Sequence, residues 1–169
     1  MSELNVVKYG DPILRKKCQP VKEITPEIKQ LITDMLETLY AYRGVGLAAP
    51  QVGLPVRLCV IDVRPEGKRQ PMVLINPVIV ACKGSSKAIE GCLSLPGLST
   101  MIKRFETVRV NAINQDGFPV VIEGKDLLAR ALQHELDHLD GKVLLSRIPV
   151  YQKLKIQYLI RKLKKQGKW

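Results

Sequence analysis

The chain has 169 residues, of which 46% are hydrophobic and 25% are charged, and its formal net charge at pH 7 is +11. A chain of this length and composition predicts one globular domain, 1–169, that is long enough to bury a hydrophobic core. No apolar run approaches the roughly eighteen residues that a membrane-spanning helix needs, so we expect no membrane partner.

The N-terminal part of the chain predicts a short turn and then a longer helix. Residues 1–5 lack the basic region and apolar stretch that are typical of a signal peptide, so we expect a cytoplasmic protein. Residues 11–17 predict a helical turn capped by Asp11, and residues 26–42 predict a helix with one apolar face. The cysteines show no paired spacing and, in a reducing compartment, predict thiols or metal ligands rather than disulfides; they are Cys18, Cys59, Cys82 and Cys92.

The segment 44–53 follows the first helix and is dense in small residues, with no charge. Flexible linkers are usually polar, so this apolar segment predicts a packed loop where the backbone approaches another group closely. Gln51 is its only polar side chain. Among apolar neighbours the amide needs partners, and the carbonyl group of a ligand would suit its NH₂ group.

Four apolar runs predict antiparallel strands, at 56–62, 72–81, 105–113 and 119–123. Asp116 and Gly117 predict a hairpin turn between the last two runs. Asn76 and Pro77 interrupt the second run, which predicts two short strands or an edge position. Gly91 and Pro96 bracket a short extended piece that carries Cys92.

Residues 126–140 predict a central helix that Gly141 closes, and this helix carries the pattern H-E-x-x-H. His134 and His138 are four residues apart, so both imidazoles lie on one helix face and can reach one metal ion. Glu135 is not needed as a ligand there and can act on a water molecule. The alternative is a pair of surface histidines, but the chain has only these two and the helix around them is apolar.

A third metal ligand has to come from earlier in the chain. No Asp, Glu, His or Cys follows Asp140, and Leu144 stands where the long zincin pattern has its third histidine. Asp140 itself lies about 200° around the helix from His138 and cannot share its face. The residues alone leave the ligand open as an upstream cysteine or carboxylate.

Residues 149–165 predict a last helix, and residues 150–169 form a basic C-terminal helical segment. From residue 151 onward the segment has no acid and carries these positive residues: Lys153, Lys155, Arg161, Lys162, Lys164, Lys165 and Lys168. This charge indicates a polyanionic neighbour such as RNA or, alternatively, a solvated face that only aids solubility. The order of elements predicts an α+β fold, with antiparallel strands wrapped around a central metal-binding helix and a C-terminal helix.

Three stretches of the chain together resemble the peptide deformylase family. Residues 44–51 match its motif G-x-G-x-A-A-x-Q, residues 90–94 match E-G-C-x-S, and residues 133–141 match Q-H-E-x-x-H-x-x-G. The motifs occur in the family's order, and the resemblance extends from about residue 4 to residue 150. Ser99 stands where many bacterial members carry Arg or Tyr, which leaves open the side-chain preference beyond the first substrate residue.

The resemblance implies an enzyme that removes the formyl group from the N-terminal formyl-methionine of new polypeptides and releases formate. It implies Cys92, His134 and His138 as metal ligands and Glu135 as the group that moves the proton. It also implies that the Gln51 amide and the Leu93 N–H stabilise the oxyanion. Substrate binding, by backbone pairing and in a methionine pocket, is implied for Val45, Gly46, Gly91, Leu127, Arg130 and Ala131.

The resemblance further implies one divalent metal ion, with Fe²⁺ as the working ion and Zn²⁺ or Ni²⁺ often replacing it in purified protein. An N-formyl-Met peptide is the implied substrate, and the basic C-terminal helix gains an interpretation as a contact with the ribosome. We expect no stable binding to DNA.

Two other functions compete with this interpretation. A zinc endopeptidase would cleave internal peptide bonds, and the absence of a ligand after residue 140 weighs against it. A non-enzymatic RNA-binding protein would use the metal structurally, but a structural site normally has four protein ligands and only three are identifiable.

Overall fold

The computed structural model of the chain describes residues 3–169 and has the predicted α+β fold. The predicted domain 1–169 and the expectation of no signal peptide in residues 1–5 both include Met1 and Ser2, which lie outside the described residues. The helices are α1 (Pro26–Ala41), α2 (Asp126–Leu139) and α3 (Val150–Lys165). The strands are β1 (Gly46–Ala48), β2 (Leu58–Ile61), β3 (Met72–Lys83), β4 (Ser86–Cys92), β5 (Leu95–Arg104), β6 (Thr107–Ile113) and β7 (Pro119–Lys125).

The strands form two separate sheets around α2. Five antiparallel strands have the order β1-β2-β3-β6-β7, and β4 and β5 form a hairpin of their own. Helix α2 packs against β1, β2, β6 and β7, and its Leu132 and Leu139 are fully buried in the core that these strands line. The predicted central position of the helix that carries His134 and His138 is therefore confirmed.

The two predicted N-terminal elements are present where the sequence indicates. Thr25 caps α1 by accepting a hydrogen bond from the Ile28 N–H at 3.4 Å, and the helix ends at Ala41, one residue before the predicted end. Asp11 caps the short 3₁₀ turn Pro12–Arg15 by accepting from the Ile13 N–H at 2.9 Å. Capping and an apolar face were sufficient to locate both elements.

Strand β3 is a single strand inside the sheet, so the prediction of two short strands or an edge strand is wrong. The pairing with β6 shifts register between Ile75 and Val78, where Asn76 has a φ of +52°. The Asn76 side chain accepts from the Val21 N–H at 2.9 Å and donates to the Val21 carbonyl at 2.8 Å. This irregularity accommodates Pro77, which lacks an N–H, without ending the strand.

The segment around Cys92 is a long hairpin rather than a short extended piece. Strands β4 and β5 pair from Ser86↔Arg104 to Cys92↔Leu95. Burial alternates along β4, but its half-buried face carries polar residues such as Ser86 and Glu90. An apolar alternation is therefore missing from the sequence, which is the reason that the strand was not predicted.

The C-terminal helix α3 packs on the N-terminal segment. Ile160 is buried with Tyr9, and the Gln157 amide donates to the Tyr9 hydroxyl at 3.0 Å. Gly141, which follows α2, has a φ of +71° and approaches the Arg15 carbonyl so closely that a Cβ there would lie 2.5 Å from the oxygen. None of the helices in residues 3–169 is both long and apolar enough to span a membrane.

Candidate active site

One face of α2 carries both histidines into the space beneath the β4–β5 hairpin. His138 is buried, and its Nε2 lies 3.3 Å from His134 Nε2. Cys92, the last residue of β4, places its Sγ 3.3 Å from His138 Nε2. The sulfur and the two ring nitrogens all lie within 4.8 Å of one another. The structure thus brings together the three residues that the resemblance implies as ligands.

The electrostatics of this cluster favour a thiolate. Burial by itself raises the pKa of a thiol, but the adjacent His138 and His134 rings lower the pKa of Cys92 well below its ordinary value. A deprotonated sulfur and two imidazole nitrogens form a donor set that suits Zn²⁺ and other divalent transition metals. A tetrahedral ion with about 2.1 Å to nitrogen and 2.3 Å to sulfur would have ligand atoms about 3.4–3.6 Å apart, within about 0.3 Å of the separations in the cluster. The two 3.3 Å separations fit such an ion.

A network of charged side chains behind His134 was missed by the sequence analysis. Glu90 Oε2 lies 3.3 Å from His134 Nδ1, and Arg104 donates to both Glu90 oxygens at 2.8–3.1 Å. Arg104 also bonds Asp137 at 2.8 Å, and Asp137 in turn pairs with Arg147. Burial alone raises the pKa of Glu90, but hydrogen bonds from His134 and Arg104 lower it to about 2. The ionised Glu90 can therefore orient the His134 ring.

A signal for part of this network was present in the sequence. Glu90 precedes Cys92 by two residues, so in an extended strand the two side chains share a face. Both occupy half-buried positions of β4. The partners Arg104 and Asp137 come from β5 and α2, and no spacing in the sequence brings them together.

Glu135 lies on α2 between the two histidines and is 3% exposed. Its Oε2 is buried and has no hydrogen-bond partner within residues 3–169. Burial raises the pKa of Glu135 above its ordinary value. A buried carboxylate oxygen that lacks a protein donor suits a group that takes a proton from water.

Gln51 is 1% exposed, and its amide group faces the cluster. Its Oε1 accepts from the Ala48 N–H at 2.9 Å, which fixes the orientation of the amide. The NH₂ group lies 3.5 Å from Cys92 Sγ and 3.3 Å from Ser94 Oγ. The structure therefore directs an amide donor toward the thiol, and the expected bond from this amide to a carbonyl group of a ligand stays a prediction.

The segment that contains Val45 and Gly46 forms the open edge of the five-stranded sheet. The Asp62 N–H donates to the Val45 carbonyl at 2.9 Å, and Gly46 is the register partner of Ile61. Because hydrogen-bonding direction alternates along an antiparallel strand, the N–H and C=O of Gly46 point away from β2. This backbone is available to an extended peptide.

The turn between β4 and β5 contacts the segment just before β1. Leu93 directly follows Cys92 there, and a Cβ built on Gly44 would lie 3.0 Å from Leu93 Cδ1. Gly91, near the end of β4, is the register partner of Ser99 on β5. Leu93, Gly91 and Ser99 are thus grouped beside the thiol.

The residues expected in the methionine pocket have different environments. Leu127 is 50% exposed and Ala131 is 5% exposed. The Arg130 guanidinium lies 2.8 Å from a Glu90 oxygen and donates to the Ile102 carbonyl at 2.7 Å. Its charged group is therefore engaged with the hairpin, and the pocket role of these residues stays a prediction.

Comparisons with known proteins agree with the motifs. The family model described as polypeptide deformylase matches residues 3–154. A peptide deformylase of Endomicrobium trichonymphae is 46% identical over 169 residues, which cover all of both chains. Another, of Desulfitobacterium hafniense, is 52% identical over 141 residues, which cover 83% of this chain and 91% of the relative.

Solved structures show the same architecture. A crystal structure of a peptide deformylase from Legionella pneumophila superposes with a TM-score of 0.92 at 38% identity and covers 98% of each chain. The peptide deformylase from Ehrlichia chaffeensis in complex with actinonin gives a TM-score of 0.92 at 36% identity and covers both chains completely.

Proposed function

This chain belongs to the polypeptide deformylase family, and we propose that Cys92, His134 and His138 hold the metal with which it works. As a member of that family, the enzyme removes the N-formyl group from new polypeptides, and the zinc endopeptidase alternative is not favoured. The observation that carries the proposed ligand set is the convergence of one sulfur and two ring nitrogens within 4.8 Å. Only three protein ligands converge there within residues 3–169, which leaves a position for the reactants.

The proposed catalytic work of the protein begins with Glu135. A divalent metal ion held by Cys92, His134 and His138 would acidify a water molecule and polarise the formyl carbonyl. Glu135 takes the proton of the attacking water and later passes it to the leaving amine. Support comes from its unpartnered, buried Oε2 and from the burial that raises its pKa toward the working range of a base.

The proposed oxyanion donors are the Gln51 amide and the Leu93 N–H. Attack on a formyl carbon produces a tetrahedral species with a negatively charged oxygen, and fixed donors stabilise this charge without reorganising. The hydrogen bond from the Ala48 N–H to Gln51 Oε1 fixes the amide, so its NH₂ group is directed toward Cys92 before a substrate binds. A donor of this kind typically lowers the activation free energy by about 3 kcal/mol.

We propose that the substrate binds as an additional strand between β1 and the end of β4. The outward N–H and C=O of Gly46, with the backbone of Gly91 and the N–H of Val45, whose carbonyl is already bonded to the Asp62 N–H, pair with the first residues of the peptide. The methionine side chain then enters a pocket beside α2, toward Leu127 and Ala131. Support comes from the three-residue open edge at β1 and from its position next to Glu135.

The proposed working ion is Fe²⁺, with Zn²⁺ or Ni²⁺ as replacements in purified protein. A thiolate and two imidazoles accept any of these ions. Because a thiolate–Fe²⁺ pair is open to oxidation, we expect activity of the iron-loaded enzyme to fall in air while nickel-loaded enzyme persists. Equal losses in air for the two preparations would contradict iron as the sensitive component.

We propose that α3 contacts the ribosome, where the substrate emerges. Its positive residues are mostly exposed, among them Lys155, Arg161, Lys162 and Lys165, and it has no acid. A binding mode based on phosphate contacts weakens steeply with salt. Substitution of these four residues by glutamine leaves buried Ile160 in place and should abolish salt-sensitive co-sedimentation with ribosomes. Unchanged co-sedimentation would contradict the proposed contact.

The experiment that tests the function directly measures formate release from a formyl-Met peptide beside its acetyl analogue. We expect rapid release of formate and negligible release of acetate. The same reaction with Cys92→Ser tests the proposed ligand set, because metal content should fall together with formate release. A fully active, metal-free Cys92→Ser variant would refute the ligand assignment.

A further inference from the structure

Helix α2 and strand β4 run side by side in the same direction. Every fourth residue of the helix contacts every second residue of the strand. Four residues on a helix advance about 6.0 Å and two residues on a strand advance about 6.6 Å, so successive pairs stay aligned. In chain order the facing groups are Arg130 with Ser86 and Ala88, His134 with Glu90, and His138 with Cys92. The metal-ligand geometry is therefore the last part of a longer alignment that starts at Arg130.

Arg130 makes most of its contacts with the hairpin backbone. Its guanidinium donates to the Ile102 carbonyl at 2.7 Å and to the Ala88 carbonyl at 3.4 Å, and these two residues are register partners on β5 and β4. It also donates to Ser86 Oγ at 3.2 Å and lies 2.8 Å from Glu90 Oε1. The Arg130 side chain is 11% exposed, so these bonds are shielded from water.

The hairpin needs such a connection because it is a sheet of its own. Strands β4 and β5 pair with each other and not with the five-stranded sheet. Two further connections reach only the end of the hairpin: Arg104 on β5 bonds Asp137 on α2 at 2.8 Å, and the Gln133 amide on α2 bonds the N–H and the carbonyl of Phe105, just after β5, at 3.0 and 2.9 Å. Arg130 instead binds main-chain carbonyls of both strands, which fixes the position of the strands along the helix.

We propose that Arg130 is a positioning residue that sets the register of β4 on α2 and thereby holds Cys92 Sγ within reach of both imidazoles. This inference rests on the proposed metal ligands. It assigns to Arg130 a role in metal retention that is separate from any contact with substrate. Removing a group that orients metal ligands typically costs about 10- to 100-fold in metal affinity.

The test compares full-length wild type with Arg130→Met and with Arg109→Met. Methionine keeps much of the length of the side chain but cannot donate hydrogen bonds. Arg109 is the matched control, because it pairs with Glu123 at 2.7 Å on the exposed side of β6 and β7. Each protein is loaded with Zn²⁺, and release of the ion into excess EDTA is followed, together with the melting temperature before and after metal removal.

We expect Arg130→Met to release Zn²⁺ about 10- to 100-fold faster than wild type, and Arg109→Met to match wild type. The rise in melting temperature that Zn²⁺ gives should shrink in Arg130→Met alone. A purely structural role would lower both melting temperatures equally and leave the release rate unchanged, which would overturn the proposal. If Arg130→Met fails to fold, Arg130→Lys carries the test, since lysine keeps the charge near Glu90 without the planar set of donors.

Failure of the underlying metal site has a different signature. Wild type that binds no Zn²⁺, or that binds it equally well after Cys92→Ser, would refute the ligands themselves. If Zn²⁺ binding requires Cys92 but Zn²⁺ release is unchanged in Arg130→Met, only the proposed role of Arg130 in setting the register is refuted.

Discussion

Gly46 and Glu135 are packed so closely that a side chain at position 46 has no room. A Cβ built there would lie 2.8 Å from Cδ and 2.9 Å from Cγ of Glu135. The proposed substrate-binding edge and the proposed base are thus in direct contact. A side chain added at position 46 would therefore also displace the carboxyl group of Glu135.

We expect Gly46→Ala to lower kcat for a formyl-Met peptide roughly 100-fold, because the added methyl group displaces the Glu135 carboxyl group. Steady-state kinetics of the zinc-loaded protein measures this effect. The same substitution in a Glu135→Gln background should cost far less, because the displaced base is already missing. Equal losses in the two backgrounds would contradict displacement of the base as the cause.

Glu135→Gln should keep the fold and one bound metal ion while formate release falls about 100- to 10,000-fold. The amide has the size of the carboxylate but cannot take a proton from water. Metal content and melting temperature are the controls for an intact site. Retained turnover in this variant would refute Glu135 as the base.

Gln51→Glu separates the two functions of this side chain. The carboxylate can still accept from the Ala48 N–H, which bonds Gln51 Oε1 at 2.9 Å, but it cannot donate a hydrogen bond toward Cys92 and the proposed oxyanion. We expect kcat to fall about 100- to 1000-fold with little change in metal content. If Gln51 acts only by bracing the Ala48 loop, the variant will keep wild-type kcat.

Asp62 predicts a pH dependence of stability. It is fully buried and accepts hydrogen bonds from the Tyr40 hydroxyl at 2.8 Å and from the Arg64 N–H at 2.9 Å. Burial by itself raises the pKa of a carboxyl group, but these bonds lower the pKa of Asp62 below its ordinary value. Its stabilising contribution is therefore complete above the unfolded pKa of about 3.9 and is lost as pH falls through the lower folded value.

We expect Asp62→Asn to reduce the free energy of unfolding by about 1–3 kcal/mol at pH 7. The difference from wild type should narrow as the pH falls below about 4. Urea unfolding of the metal-free proteins measures it, and Asp116→Asn in an exposed turn is the control for loss of a charge. A difference that stays constant from pH 7 to pH 3 would contradict the role of the ionised form.

The cysteines should differ in their reactivity toward iodoacetamide at pH 7.5. Cys82 is exposed, whereas Cys59 and Cys18 are buried. Burial raises the pKa of both buried thiols, that of Cys18 to about 11. We expect one label in the zinc-loaded protein, on Cys82, and a second on Cys92 after EDTA treatment, because metal no longer protects the thiolate. Mass spectrometry locates the labels, and labelling of Cys92 before EDTA would contradict its role as a ligand.

The parts of the fold that follow local rules were predictable from sequence. The helix of His134 and His138 and the cap of α1 depend on spacing and on neighbouring residues, and the structure has both. The β4–β5 hairpin was not predictable, because the half-buried face of β4 carries Glu90 and Cys92 for chemical rather than packing reasons. Single-strand periodicity cannot detect a face whose burial is satisfied by charge and by sulfur.

The site divides in the same way. The convergence of Cys92 with the histidines followed from a family resemblance and not from geometry in the sequence. Arg130 lies within the helix predicted at 126–140, but a guanidinium can turn to either side of a helix, and its predicted pocket role stays a prediction. Its bonds to the hairpin carbonyls depend on partners about thirty to forty residues away in the chain. Tertiary partners of long side chains are the information that a single sequence does not contain.

The brevity of β1 bears on how widely the enzyme can work. With only Gly46–Ala48 in the strand, the proposed main-chain pairing would engage no more than the first few residues of a polypeptide. Main-chain groups are identical in every protein, so nothing in this contact discriminates one nascent sequence from another. A short contact of this kind, which is independent of side chains, would let one enzyme act on polypeptides of many different sequences.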